Sequence, residues 1–161
     1  TDFVGDRERP FWELSREALV MEGTFQSPVT SWLYERGWRN AFKQNGFPGV
    51  DNEFVEATTF FADVADGGVV VDLSCGSGLM TRRLVRSRRY SRVIGVDLSA
   101  PMLGETALRF RREGLQQPEL LRANVGRLPL QTGVVNAVHA GAALHCWMDL
   151  ERALLEVHFL L

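Results

Sequence analysis

Two textures of hydrophobic and polar positions divide the chain near residue 66. Before that point the apolar residues recur at helical spacings. Glu13 to Met21 is a short amphipathic stretch, Val29 to Phe42 after Pro28 places Trp32, Leu33, Arg36 and Trp38 at helix-like intervals, and Asn52 to Val64 is a third candidate helix. Gly46-Phe47-Pro48-Gly49 separates the second from the third as a turn, because glycine and proline interrupt the pattern.

From Gly67 onward, short β-branched runs alternate with helical ones. Val69-Val70-Val71-Asp72-Leu73 is a continuous run of the kind that a strand covered on both faces requires, and Met80 to Arg88 follows as a helix. The unit then repeats. Arg92 to Asp97 is a second strand, and Pro101 to Glu113 is a second helix with Ser99 placed to cap it. Glu119 to Ala123 and Val134 to Ala140 are the third and fourth strands, and Leu150 to Val157 is the last helix. Such alternation predicts an α/β fold: a Rossmann-like, doubly wound parallel sheet preceded by a helical N-terminal cap. Residues 1–66 form the cap and residues 67–161 the core. A doubly wound sheet normally continues past four strands, so Phe159-Leu160-Leu161 is expected to mark missing C-terminal strands, with His158 to Phe159 as the suspected junction.

Composition narrows the function classes. A chain of 161 residues with 45% hydrophobic and 24% charged residues suits one folded core, and its net charge of −2 argues against a nucleic-acid partner. No apolar run approaches the roughly 18 residues of a bilayer span, and a start at Thr1 suggests a mature or trimmed product. Cys75 and Cys146 lie far apart without metal-ligand spacing, which favours free thiols, a reducing compartment and no bound metal. Arg82, Arg83, Arg86, Arg88, Arg89 and Arg92 form a basic cluster; a solvated helix face is the simpler reading, and a lipid surface or acidic partner the alternative.

The chemistry is concentrated after the first strand, in Asp72-Leu73-Ser74-Cys75-Gly76-Ser77-Gly78. Gly76 and Gly78 let the backbone turn sharply and approach a ligand, and the helix that follows presents unpaired N–H groups. A nicotinamide-dinucleotide fingerprint would need a third glycine where Thr81 stands. A second acid, Asp97, closes the next strand about 20 residues on, the separation at which a carboxylate meets a ribose bound over the first strand.

On these residues the chain resembles the class I S-adenosylmethionine-dependent methyltransferases, and within them the ubiquinone- and menaquinone-biosynthesis type, especially its plant and algal plastid relatives. Besides the loop, the likeness is carried by Phe25 to Phe42, Gly46-Phe47-Pro48-Gly49, Val96-Asp97-Leu98-Ser99-Ala100-Pro101-Met102-Leu103 and Ala140-Gly141-Ala142-Ala143-Leu144-His145-Cys146-Trp147. The resemblance implies S-adenosyl-L-methionine as cofactor. Asp72, Ser74, Gly76 and Gly78 would hold its methionine part, Asp97 its ribose hydroxyls, Leu98 and Met102 would flank the adenine, and Asn124 would accept from the adenine amino group. The family usually has Asp where Asn124 stands, and Asn136 likewise occupies an Asp position of the plastid relatives. A small, apolar, quinone-like acceptor and a chloroplast location follow from the resemblance.

Methyl transfer depends chiefly on alignment, and a base is useful when the acceptor is a phenol or activated carbon. His145 is the candidate base, weighed equally against an imidazole hydrogen-bonded within its own loop, whereas His139 is expected to be packed in its strand. Cys75 reads as a packing residue. Phe25, Trp32, Tyr34, Trp38 and Phe42 either line an acceptor pocket or pack the cap. The rival function is an inactive methyltransferase-like subunit with protein partners in a plastid assembly.

Overall fold

The computed structural model describes residues 49–161. The two earlier helical stretches and the aromatic set from Phe25 to Phe42 lie outside the described residues. The third predicted helix is α1, Val50–Ala65. It is followed by β1 (Val69–Leu73), α2 (Leu79–Ser87), β2 (Arg92–Asp97), α3 (Ala100–Arg112), β3 (Glu119–Arg122), β4 (Ala137–His139), a 3₁₀ turn (Leu144–Cys146) and α4 (Leu150–Leu160). The described strands form a parallel sheet of order β3-β2-β1-β4. The predicted alternation is therefore present, with β4 shorter than expected. The suspected His158–Phe159 junction lies within α4, which continues unbroken to Leu160.

Strand alternation sorts the side chains onto two faces. Val70, Val93 and Ala137 point to one face, where Phe61 and Ala65 of α1 and Met80 and Leu84 of α2 cover them. Val71, Leu73, Ile94 and Val96 point to the other, against Ala123, Leu128, Val135 and Leu160 of α4. Burying each of these larger side chains contributes roughly 1.5–3 kcal/mol. Asp72 has the parity of Val70, and the β1–β4 register pairs it with His139, so both polar residues belong to the face covered by α1 and α2. Asp97 has the parity of Val93 and joins them there.

Caps and ion pairs fix the connections. Ser99 Oγ accepts from Met102 N at the start of α3, with Pro101 in the first turn, as predicted. The basic cluster is largely tied up within the chain: Arg82 and Arg86 pair with Glu113, Arg83 with Asp51, Arg89 with Asp66 and Arg92 with Glu119. Asn136 works at the base of the sheet, where its side-chain oxygen accepts from Val69 N at 2.8 Å. None of the helices among the described residues is long and apolar enough to cross a membrane.

Candidate functional site

The glycine loop leaves β1 in a conformation that few side chains tolerate. Ser74 has φ 55°, Gly76 57° and Gly78 75°. None of the described residues lies within 4 Å of where a Gly76 Cβ would project, whereas a Gly78 Cβ would fall 2.6 Å from Thr106 Cγ2. One glycine thus leaves open space and the other permits contact with α3. Thr106 Oγ1 donates to the Gly76 carbonyl at 2.8 Å and fixes the loop from that side. A strained serine and, in the loop after β4, a left-handed Ala142 (φ 51°) next to Gly141 place two of the three positive-φ non-glycine residues found among the described residues around one recess.

That recess, about 320 Å³ including its open mouth, lies at the carboxyl ends of β1 and β4. Asp72, Ser74, Gly76, Ser77, Met80, His139 and Gly141 line it, with Cys75. Ser77 Oγ is buried without a hydrogen-bond partner among the described residues. Asp97 sits beside it: one carboxylate oxygen accepts from Gly76 N and the other from Ser99 N, both at 2.8 Å. Burial pushes the Asp97 carboxyl above its usual range, and the Ser99 and Gly76 amides oppose that shift. An open glycine turn, an orphaned buried hydroxyl and a carboxylate held on two backbone amides fit an amino-acid group joined to a ribose.

The predicted residues divide across this geometry. Asp72, Ser74 and Gly76 line the recess, while Gly78 is the N-cap of α2 and packs on Thr106. Leu98 is half-buried and Met102 buried, one in the link to α3 and one inside it. Asn124 forms a tight turn, its side-chain oxygen accepting from Gly126 N at 2.8 Å. His145 falls in the 3₁₀ turn Leu144–Cys146. Among the described residues there is no His/Cys/Asp/Glu group suited to a metal.

Four participants were not legible as such. His139 is packed as expected, but between acids: Nδ1 lies 2.8 Å from Asp72 Oδ1 and Nε2 3.2 Å from Glu53 Oε1. Burial lowers the affinity of this imidazole for a proton, yet the hydrogen bonds to Asp72 and Glu53, helped by their charges, outweigh it and raise the pKa to about 9. Thr81, the residue that breaks the dinucleotide fingerprint, donates from Oγ1 to Asp72 Oδ2 at 2.5 Å. On β2, a Gly95 Cβ would fall 2.9 Å from Leu120 Cδ2 and 3.3 Å from Cys75 Sγ, so this glycine makes room for β3 and for the loop cysteine. Trp147 reaches back over the loop, its indole N–H donating to Ser74 Oγ at 3.0 Å. A polar residue at the end of a strand was the available signal for His139; nothing local distinguishes Glu53 from the other acids of α1.

Residues 71–161 match the methyltransferase domain family. The chain is 47% identical over 137 residues to an uncharacterized chloroplastic methyltransferase of Arabidopsis thaliana, covering 83% of this chain and 39% of that protein. It is 37% identical over 95 residues to a 2-phytyl-1,4-naphtoquinone methyltransferase of Nostoc, covering 57% of this chain and 41% of the relative. The chain thus spans about two fifths of the length of these curated relatives. A SAM-dependent methyltransferase from Aquifex aeolicus superposes with a TM-score of 0.59 at 18% identity, covering 66% of this chain and 57% of that one, a likeness of fold.

Proposed function

The chain belongs to the methyltransferase domain family, and from that premise we propose that it binds S-adenosyl-L-methionine in the recess beside Asp97 and transfers its methyl group to a small apolar acceptor. The observation that carries this reading is the Asp97 carboxylate fixed on Gly76 N and Ser99 N at the edge of a recess containing the orphaned Ser77 hydroxyl. When bound, the cofactor supplies an electrophilic methyl on a sulfonium. Ser74, Gly76 and Ser77 would hold its amino-acid part, and Asp97, already aligned by two amides, would accept from the ribose hydroxyls. Leu98 and Met102, which follow Asp97 in the chain, and Asn124, which follows β3, are the candidate adenine contacts. Preformed positioning of this kind can provide most of the effect in a transfer that needs only alignment.

The acceptor side falls to the loop after β4, which carries His145 as the candidate base. A quinone-like acceptor is supported by the naphthoquinone methyltransferase relative, and a plastid location by the chloroplastic one. No observation favours the inactive-subunit reading. Calorimetric titration with S-adenosylhomocysteine tests the proposal. Micromolar binding that Asp97→Ala abolishes is the expected result, and no binding at millimolar ligand would overturn it.

A further inference from the structure

Asp72 and the groups around it come from four separate elements. Asp72 is 2% exposed, and both of its oxygens are occupied, Oδ1 by His139 of β4 and Oδ2 by Thr81 of α2. The far nitrogen of His139 is met by Glu53 of α1. Within α1 this carboxylate is singular: its side chain is 24% exposed, against 85% for Asp51 two positions earlier, which turns outward to Arg83. Gly141 leaves the passage clear, since a Cβ there would run into Glu53 Oε1 and come within 2.6 Å of His139 Cε1. A neutral imidazole has one N–H and could satisfy one of the two acids; the imidazolium donates to both. Left to Thr81 alone, the buried Asp72 carboxylate would be undercompensated, a costly arrangement in a poorly solvated site.

We propose that Glu53 and His139 are positioning residues of the recess: Glu53 holds the imidazole, the imidazole holds Asp72, and helix α1 thereby decides whether the recess takes the methionine end of S-adenosylmethionine. This inference rests on the cofactor reading above. Glu53 does not need to touch the ligand. His139 and Gly141 form the wall that faces it, and Glu53 stands behind that wall. Withdrawing Glu53 removes the acid that keeps the second ring N–H in place and frees the ring to turn away from Asp72.

The test is titration of the full chain with S-adenosylhomocysteine at neutral pH, comparing the unsubstituted protein, Glu53→Gln and Asp51→Asn, together with nitrogen NMR of the His139 ring. Asp51→Asn breaks the Arg83 salt bridge between α1 and α2 without touching His139, so it isolates helix docking from positioning. Glu53→Gln is expected to weaken binding about tenfold, the scale of one charge-assisted hydrogen bond. Its His139 ring should show the signature of a single N–H, while Asp51→Asn stays within about twofold of the unsubstituted chain, as befits an exposed pair. Equal affinity in Glu53→Gln, or an equal loss in Asp51→Asn, overturns this inference and leaves the cofactor reading intact. Failure of the unsubstituted chain to bind overturns both. If Glu53→Gln does not fold, Glu53→Asp, which withdraws the carboxylate by one methylene, is read by the same criteria.

Discussion

The indole N–H of Trp147 donates to the hydroxyl of Ser74 at 3.0 Å, joining the loop after β4 to the glycine loop after β1. The bond spans 73 positions of sequence and ends on a serine whose φ of 55° needs support from its surroundings. Replacing the indole by a ring without a donor removes that support. Trp147→Phe is expected to cost about 1 kcal/mol in chemical denaturation, the usual net worth of such a bond. A midpoint unchanged from the parent would show that Ser74 is held by other means.

Stability should fall as the solution becomes alkaline. The His139 pKa is about 9 in the folded chain against an ordinary 6.5, so the stabilisation is complete below about 6.5 and disappears as pH rises through about 9. Its upper bound is about 3 kcal/mol. Melting temperatures measured from neutral pH to pH 10 should decline in the parent, and His139→Asn should lack that component of the decline. Parallel curves for the two proteins would contradict the assignment.

Gly78→Ala places a Cβ on a residue with φ 75° and 2.6 Å from Thr106 Cγ2. Left-handed backbone alone costs an alanine roughly 1–2 kcal/mol, and displacing Thr106 also releases its hold on the Gly76 carbonyl. The variant is expected to lose at least about 2 kcal/mol of stability together with measurable S-adenosylhomocysteine binding. Gly76→Ala, with open space at its Cβ, should keep more of its fold and still fail to bind.

The two thiols should differ in reactivity. Burial raises the Cys75 thiol well above its usual pKa, and the charges of Asp72 and Asp97 push it further. Cys146 is only partly buried. A disulfide reagent at neutral pH is expected to label Cys146 in the native protein and Cys75 only on unfolding. Rapid labelling of both would show that the glycine loop opens readily.

The sheet and the glycine loop could be read from the chain because each is written locally. A β-branched run, two glycines and two acids fall within a single strand–helix–strand unit, and the register of β1 with β2 then carries Asp97 to Gly76. Glu53 and His139 could not be read in this way. They lie 86 residues apart and meet only because α1 and β4 flank the same end of β1. Thr81 was informative for the opposite reason. It argued correctly against a dinucleotide fingerprint, but its bond to the Asp72 carboxylate of the preceding strand is invisible to a motif of glycine spacings.

Asp72 and His139 are partners because their two strands pair in one particular alignment. Side chains alternate faces along a strand, so a slip of a single residue would send one of them to the opposite side of the sheet. On the proposed cofactor reading, ligand capture would double as a proofreading signal for the sheet itself: a chain collapsed with β1 and β4 one residue out of alignment would be blind to the cofactor, and would pass unretained over a cofactor-analogue resin.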